Sequence, residues 1–363
     1  MNHFFCRLVA TLLTLLSITN SHGQPLKVFI LAGQSNMEGH GNVPLDAQRI
    51  AQLKERGHYE RDKRNYLQFL AHDAEDQQHF HHLLTREKEW VVRDDVWFAW
   101  NRDGHSAKEF NTRLTVGLGA SERQIGPELM FGHIMGNYFD EPVLLIKTAW
   151  GGKSLAVDFR PPSAGMPPDN QLQARLDKIN EQRKKKNQDL MSQEELRAQY
   201  GHYYRMMLTD IDHTLKTLKQ RFPAYDENAG YELSGFAWFQ GWNDGGDLKW
   251  AEEYASNFKH FVRDIRAKYG PLPVVIGTSG FGKNAPSKHD GWVNRLRDQV
   301  EPRQITAAKE IEQCIAFETG DCLIPHPDRT SNRGIHHWFN SAETYYLIGE
   351  GMGKTMRRLL EAR

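Results

Sequence analysis

Four short apolar runs, each followed within five residues by a turn containing glycine, constrain the fold of this chain more than any other feature. They are separated by long stretches of sequence and lie at residues 28–31, 142–146, 236–239 and 273–276. Continuous apolar runs of this length are typical of strands buried on both faces of a mainly parallel sheet. Because ligands bind such sheets where the strands end, the turns are the first place to look for function.

Between these runs, apolar residues recur every three or four positions, as they do on the buried face of a helix. The clearest examples span residues 204–218, 250–265 and 342–356. Alternation of buried strands with such helices is typical of a sheet that is covered by helices on both faces. We therefore predict an α/β fold, a three-layer α/β/α sandwich with a mainly parallel central sheet of the flavodoxin-like kind.

The first 23 residues have the pattern of a signal peptide. Arg7 precedes an apolar run at residues 8–16, and the small residues Ser21 and Gly23 have the spacing that signal peptidase recognises. The run is too short to span a bilayer comfortably, so we expect cleavage near Gly23 rather than a retained anchor. The sequence thus predicts a secreted or periplasmic protein with no membrane partner after cleavage.

Residues 24–363 are expected to form one domain. Two stretches, near 44–115 and 160–200, look like insertions because the first is polar and rich in His and the second is rich in Pro and Lys. Segments added after strands commonly form the walls of a substrate cleft. We therefore expect either insertion to influence specificity.

The overall charge argues against several classes of partner. The chain has 46 Lys and Arg residues and 46 Asp and Glu residues, so its formal net charge is zero. This balance provides no electrostatic attraction for nucleic acid. No phosphate loop, dinucleotide fingerprint or zinc motif is present, so we expect no cofactor and no metal. A histidine cluster matches no tight ligand set and is interpreted as solvated; it comprises His72, His79, His81 and His82.

Two cysteines remain once the signal segment, which contains Cys6, is removed. In an exported protein an even pair so close in sequence suggests a local disulfide between Cys314 and Cys322. The alternative is that the two residues are separate small hydrophobic side chains. Neither interpretation makes them catalytic.

Four short blocks carry residues suited to chemistry, and each stands at a predicted strand end or helix start. Ser35 lies on the glycine-flanked turn after the first strand, where its hydroxyl would be exposed as a nucleophile. The other blocks supply glycines, amide side chains and histidines, at residues 150–154, 240–244 and 336–338. Glycine lets a backbone N–H approach a ligand, an amide can donate to an oxyanion, and an imidazole can act as general base. Together they predict one convergent site.

The order of these blocks resembles the SGNH hydrolase superfamily and, within it, the sialate O-acetylesterase-like group, also called carbohydrate esterase family 6-like. The motifs that carry the resemblance are Gly33-Gln34-Ser35-Asn36-Met37, Gly126-Pro127-Glu128-Leu129, Lys147-Thr148-Ala149-Trp150-Gly151-Gly152, Trp238-Phe239-Gln240-Gly241-Trp242-Asn243-Asp244, and His337 ahead of Asn340-Ser341-Ala342-Glu343. The resemblance covers the chain from about Lys27 to the C-terminus. It implies an SGNH-hydrolase-like fold and a serine esterase that removes acyl groups, in particular acetyl, from a carbohydrate.

The resemblance also implies roles for individual residues. Ser35 would attack the ester carbonyl, and His337 would take its proton and later deliver it to the leaving alcohol. His337 is favoured over His336 because His337-Trp338 fits the register of the family better. The oxyanion would be held by the backbone N–H groups of Ser35 and Gly151 and by the side chain of Asn243, with Gln240 as the alternative donor.

One departure from the family pattern concerns the acid that orients the base. Family members often carry Asp three residues before the catalytic histidine, whereas Gly334 occupies that position here. Asp328 is the nearest upstream carboxylate. Alternatively, a backbone carbonyl could orient the histidine, or the site could be a Ser–His dyad with no orienting acid.

Trp242 follows the third strand and is the candidate for stacking on a pyranose ring. Two alternative functions remain: a lipase or thioesterase of the same superfamily, and a catalytically impaired relative that binds carbohydrate. The absence of an evident apolar lid disfavours the first, and the missing Asp motivates the second. The sequence leaves open which sugar carries the acyl group.

Overall fold

A computed structural model describes residues 23–75, 77–102, 109–281, 291–324 and 334–363. The predicted signal segment up to residue 22 and the predicted acid Asp328 lie outside these ranges. Within them, no helix combines the length and the apolar character needed to cross a membrane.

The strands of the described residues form one large sheet and one small ribbon. Their bounds are β1 Leu26–Gly33, β2 Gly41–Asn42, β3 Arg93–Asn101, β4 Glu109–Leu114, β5 Gln124–Ile125, β6 Val143–Ala149, β7 Tyr231–Phe239, β8 Val274–Gly277 and β9 Cys314–Phe317. The large sheet has the order β4-β3-β6-β1-β7-β8-β9. Every neighbouring pair is parallel except β3 and β4. The predicted α/β fold with a mainly parallel sheet is therefore confirmed.

The helices connect these strands and cover both faces of the sheet. Their bounds are α1 Ser35–Glu38, α2 Ala47–Glu55, α3 Tyr59–Asp62, α4 Leu67–His72, α5 Glu128–Tyr138, α6 Asp169–Lys185, α7 Gln193–Gln199, α8 His202–Lys216, α9 Leu218–Arg221, α10 Leu248–Tyr269, α11 Gly291–Arg295, α12 Glu301–Glu310 and α13 Ala342–Glu361. Asp247 and Ser341 accept backbone N–H groups at the starts of α10 and α13, which satisfies donors that a helix leaves unpaired.

Contacts made by residues of β7 show which helices cover each face of the sheet. Phe236 and Trp238 pack against Phe261 of α10. Gly235, one position away, faces Met356 of α13. Because successive residues of a strand point to opposite faces, α10 and α13 cover opposite faces of the sheet.

The structure assigns part of the first predicted insertion to the central sheet. The second half of the stretch near 44–115 supplies β3 and β4, and β3 pairs in parallel with β6. The apolar run at residues 96–100 of β3 is buried but stands among charged residues in the sequence, which hid it as a strand. The first half forms short helices outside the sheet. In the stretch near 160–200, α6 and α7 pack around a small apolar cluster of their own.

Cys314 and Cys322 are free and buried, so the disulfide predicted between them is not formed. Cys314 begins β9, whereas Cys322 ends a 3-10 turn beyond the other end of that strand. A four-residue strand is roughly 10 Å long, whereas the Cα atoms of a disulfide are rarely more than about 7 Å apart. Burial raises the pKa of both thiols to about 12.

Candidate active site

Ser35 is the first residue of α1, directly beyond the carboxyl end of the central strand β1. A Cβ at Gly33 would overlap the carbonyl oxygen of Phe239 at the end of β7, so only glycine permits this close approach of the two strand ends. The backbone carbonyl of Gln34 accepts the N–H groups of Met37 and Glu38, which forms the turn. Ser35 is 8% exposed, so it is nearly buried at the end of this strand.

The side chain of Gln34 connects this turn to the loop after β7. Its Oε1 accepts the backbone N–H groups of Gly241 at 3.2 Å and Asn243 at 3.3 Å, and its Nε2 donates to Asn243 Oδ1 at 3.2 Å. Because the Asn243 carbonyl oxygen is engaged in this way, its Nδ2 donor group points to the other side, where it bonds Gly152 O at 2.9 Å. Gln34 therefore orients the amide that the sequence analysis assigned to the oxyanion hole.

A buried carboxylate holds two of the site loops together. Asp244 accepts the N–H groups of Leu155 and Ala156, each at 2.9 Å, and Gln240 Nε2 at 2.6 Å. The side chain has no exposed surface. Burial outweighs these hydrogen bonds and raises the pKa of Asp244 to about 7. The loops after β6 and β7 thus meet at one acid.

We expect Asp244→Asn to lower the free energy of unfolding by about 2–3 kcal/mol at pH 8, where the carboxyl group is ionised. An Asn side chain would turn an NH₂ group towards N–H donors and leave buried groups unpaired. The measurement is urea denaturation with a parallel assay of kcat, which should fall as the Asn243 loop shifts. Asp247→Asn is the matched control, because Asn serves as well as Asp at a helix start. Equal stability of the two variants would contradict the clamping role of Asp244.

Gly151, a predicted oxyanion donor, lies beside Ser35. A Cβ built on Gly151 would lie 3.7 Å from the Cβ of Ser35. The backbone N–H of Gly151 donates to Glu38 Oε1 at 3.0 Å. The carboxylate of Glu38 thus occupies the donor that an oxyanion would need, and it must move when a substrate uses that donor.

Behind the site, a buried lysine holds the end of α1. Lys147 Nζ donates to the carbonyl oxygens of Glu38 at 2.7 Å and Leu118 at 3.0 Å, and pairs with Glu128 Oε2 at 2.9 Å. Neither side chain of this ion pair has any exposed surface. Removing one partner would leave a buried charge without compensation, so the pair acts as a structural support of the Ser35 turn.

His337 belongs to an unusual turn that leads into α13. The next three residues, Trp338, Phe339 and Asn340, have φ values of 52°, 56° and 58°. Non-glycine residues in this region carry strain of about 1 kcal/mol or more each. Burial of Trp338, which is 0% exposed, and a hydrogen bond from Asn340 Nδ2 to the His40 carbonyl at 3.0 Å hold the turn in place. Strain retained in this way is typical of functional sites.

The imidazole of His337 stacks on that of His40, with ring centroids 3.7 Å apart and an interplanar angle of 5°. His40 in turn lies 3.9 Å from the carboxylate of Glu38, measured between Nε2 and Oε2. Burial, with His40 and His336 nearby, lowers the pKa of His337 to about 3, so its ring is neutral near pH 7. Among the described residues, Ser35 and His337 share no hydrogen bond. A series of contacts runs from Gly151, beside Ser35, to Glu38, then to His40 and His337. Catalytic hydrogen bonds are often long before substrate binds.

A second contact draws α13 towards the serine. The hydroxyl of Tyr345 donates to Asn36 Oδ1 at 2.8 Å, next to Ser35 in the sequence. Tyr345 is fully buried. The start of α13 and the turn of α1 are therefore packed together, which brings the first and last predicted blocks into one region.

The remaining predicted residues differ in their surroundings. Gln240 is 1% exposed, and its Nε2 is committed to Gln34, Lys153 and Asp244, so it supports the loop from within. Trp242 is half-buried and stacks on Trp292 with centroids 5.8 Å apart.

Three residues that the structure brings into the site have no function in the predictions from the sequence. These are Gln34, Glu38 and His40. All three belong to the first block or follow it within three residues. Their closeness in sequence to a candidate nucleophile was the signal that could have identified this amide, this acid and this imidazole as site residues.

The model of one known protein family matches most of the chain. The family model described as carbohydrate esterase, sialic acid-specific acetylesterase, matches residues 25–316 of the chain. The matched range includes Ser35, Gly151 and Asn243 and ends before His337. No curated protein matches the sequence.

Solved structures show a similar fold at low sequence identity. The structure of NanS matches with a TM-score of 0.50 at 13% identity, over 94% of this chain and 99% of that one. A carbohydrate acetylesterase from Xanthomonas citri matches with a TM-score of 0.49 at 13% identity, over 93% of this chain and 57% of that one. A protein from Arabidopsis thaliana has a TM-score of 0.49 at 14% identity, over 92% of this chain and 98% of that one. At these identities the NanS match speaks for the fold alone.

Proposed function

Because the chain belongs to the sialic acid-specific acetylesterase family of carbohydrate esterases, which are carboxylic ester hydrolases, we propose that it is an exported enzyme that removes O-acetyl groups from carbohydrate through a serine nucleophile. The observation that carries the proposal is the position of Ser35, nearly buried beyond the central strand and beside Gly151. The pattern of the first 23 residues supports export.

The proposed reaction begins with attack of Ser35 Oγ on the ester carbonyl. His337 takes the hydroxyl proton, and the same proton passes to the alcohol oxygen of the sugar as the acyl-enzyme forms. A water molecule then attacks the acyl-enzyme, again losing its proton to His337, and acetate leaves as Ser35 recovers its hydrogen. The ring of His337 is neutral near pH 7, and the neutral ring is the form that can accept a proton.

The orientation of the base does not depend on Asp328 in this proposal. The parallel stack on His40 restricts the plane of the His337 ring, and the hydrogen bond from Asn340 to the His40 carbonyl holds the two residues in register. We assign His40 as a positioning residue. An additional contribution from Asp328 stays a prediction from the sequence.

The oxyanion is proposed to bind to the backbone N–H groups of Ser35 and Gly151 and to Asn243 Nδ2. Asn243 is preferred to Gln240 because Gln240 is 1% exposed and its Nε2 donates to three acceptors, whereas Asn243 is half-buried and its Nδ2 donates only to the Gly152 carbonyl among the described residues. Each donor of this kind is typically worth about 3–4 kcal/mol of barrier. The Gly151 donor becomes available when the incoming substrate displaces the Glu38 carboxylate.

The experiment that tests this function measures acyl and sugar preference together. We expect p-nitrophenyl acetate to be hydrolysed with a kcat/KM at least tenfold above that for the octanoate ester, and acetate to be released from at least one of acetylated xylan, acetylated galactan and O-acetylated sialic acid. A preference for octanoate would favour a lipase or thioesterase instead. Glycan binding without any acetate release would identify a catalytically impaired relative.

A further inference from the structure

Two cavities adjoin the candidate active site, and neither has a role in the reaction described above. The first cavity has a volume of about 880 Å³ and lies between the helices after β2 and the His337 turn. Among the residues that line it are Asn42, Gln48, Arg49, Asn65, Phe339 and Asn340. Phe339 and Asn340 follow His337 within three residues, so the wall of this cavity is continuous with the proposed base.

The second cavity has a volume of about 480 Å³ and lies between α6 and the loop after β7. Among the residues that line it are Gln171, Arg175, Lys178, Asn243, Trp250 and Trp292. Its wall is therefore continuous with the proposed oxyanion hole through Asn243. The stretches once interpreted as insertions thus supply one wall of each cavity, α2 to the first and α6 to the second.

The helices next to the two cavities indicate where the cavities lie relative to the sheet. The first cavity is lined by Asn340, two residues before α13 begins, and the second is lined by Trp250, in the first turn of α10. As α10 and α13 cover opposite faces of the sheet, the cavities stand above opposite faces at its carboxyl edge. β1 is the middle strand of seven, and Ser35 follows it at the same carboxyl edge.

The cavity walls have the composition that sugars require. Amides and guanidinium groups, which bind hydroxyls, predominate in the first cavity, while the second adds the rings of Trp250 and Trp292. The guanidinium of Arg175 lies 4.9 Å from the Trp250 ring, and its buried Nε has no hydrogen-bond partner among the described residues. Both volumes fall in the range of about 300–1,000 Å³ that is usual for ligand pockets.

We propose that the two cavities are glycan subsites that hold one polysaccharide chain on both sides of the acetylated sugar. The chain crosses the carboxyl edge of the sheet from one face to the other, and the acetyl ester of an interior residue reaches Ser35. This inference rests on the proposed esterase function and goes beyond it, since it names an internal ester of a polymer, rather than a free monosaccharide, as the substrate.

The first test compares polymer with monosaccharide. Acetylated xylan, acetylated galactan and O-acetylated polysialic acid are each paired with their acetylated monosaccharide. For the glycan that is cleaved best, we expect kcat/KM per acetyl group to be at least tenfold higher for the polymer. For an acetylated hexasaccharide of that glycan, mass spectrometry should show that interior residues lose acetyl before terminal ones.

The second test uses variants of each cavity that avoid the catalytic residues. Gln48→Ala with Asn65→Ala alters the first cavity, and Gln171→Ala with Lys178→Ala alters the second. Each double variant should raise KM for the hexasaccharide at least threefold and leave kcat/KM for p-nitrophenyl acetate unchanged. Because these are surface side chains, the fold should tolerate the changes.

Controls on the same helices change surface residues that do not line the cavities. Glu55→Ala on α2 and Lys184→Ala on α6 should leave both substrates unaffected. Equal cleavage of polymer and monosaccharide, or cavity variants that match the controls, would overturn the inference while leaving the esterase assignment intact. Loss of the esterase function itself would show separately, as failure to hydrolyse p-nitrophenyl acetate.

Discussion

Ser35→Ala is expected to lower kcat for p-nitrophenyl acetate by about 10⁴- to 10⁶-fold, the range seen when a catalytic serine is removed. The hydroxyl is the only group lost, and no hydrogen bond from Ser35 Oγ to the described residues is lost with it. The Gln34 connections and the Lys147 contact with the Glu38 carbonyl remain. The melting temperature should therefore stay within about two degrees of that of the unchanged protein.

The control for this prediction is Ser256→Ala, at an exposed position of α10. It should retain full activity. A fluorophosphonate probe should label the unchanged protein at Ser35, as located by peptide mass spectrometry, and should not label the Ser35→Ala variant. Retention of more than a tenth of the activity in a correctly folded Ser35→Ala protein would exclude Ser35 as the nucleophile.

His337→Ala is expected to lower kcat by about 10³- to 10⁵-fold, because the serine would then have no base to take its proton. Adjacent His336 provides a matched control: it is exposed, whereas His337 is half-buried and stacked on His40. His336→Ala should change kcat less than threefold. If His336→Ala were the more damaging of the two, the assignment of the base would have to be reversed.

The pH dependence of kcat/KM checks the same assignment. A general base works in its neutral form, so activity is lost as pH falls through its pKa. Burial lowers the pKa of His337 to about 3, well under the ordinary histidine value of 6.5. The acidic limb measured with p-nitrophenyl acetate should consequently lie below pH 6.5.

Stability has to be measured alongside activity at each pH. Burial lowers the pKa of His40 to about 4 and that of His133 to about 3, so both are neutral in the folded protein. The unfolded chain takes up protons at these groups below pH 6.5, which weakens the fold as pH falls. If the acidic limb of the kcat/KM profile were centred at or above pH 6.5 while the protein was still folded, the assignment of His337 as the base would be contradicted.

Local sequence was sufficient for four strands of the sheet and for the place of Ser35 on the turn after the first of them. Runs such as residues 28–31 are apolar without interruption, and only a buried parallel strand hides both of their faces. Gly33, two residues before Ser35, must be glycine because the end of β7 lies so close to it. A glycine at such a turn can be recognised from the sequence alone. These features depend on residues within a few positions of each other, so a single chain reveals them.

Other features depend on residues far apart in the chain, and only the tertiary structure decided them. The orientation of the Asn243 amide depends on a hydrogen bond from Gln34, which lies more than 200 positions earlier in the chain. The orientation of the His337 ring depends on its stacking with His40. The strand β3 was hidden because charged residues surround its apolar run in the sequence. The disulfide failed because a whole strand separates the two cysteines. In each case the deciding contact is made across the fold, between residues whose spacing in sequence carries no information about their distance in space.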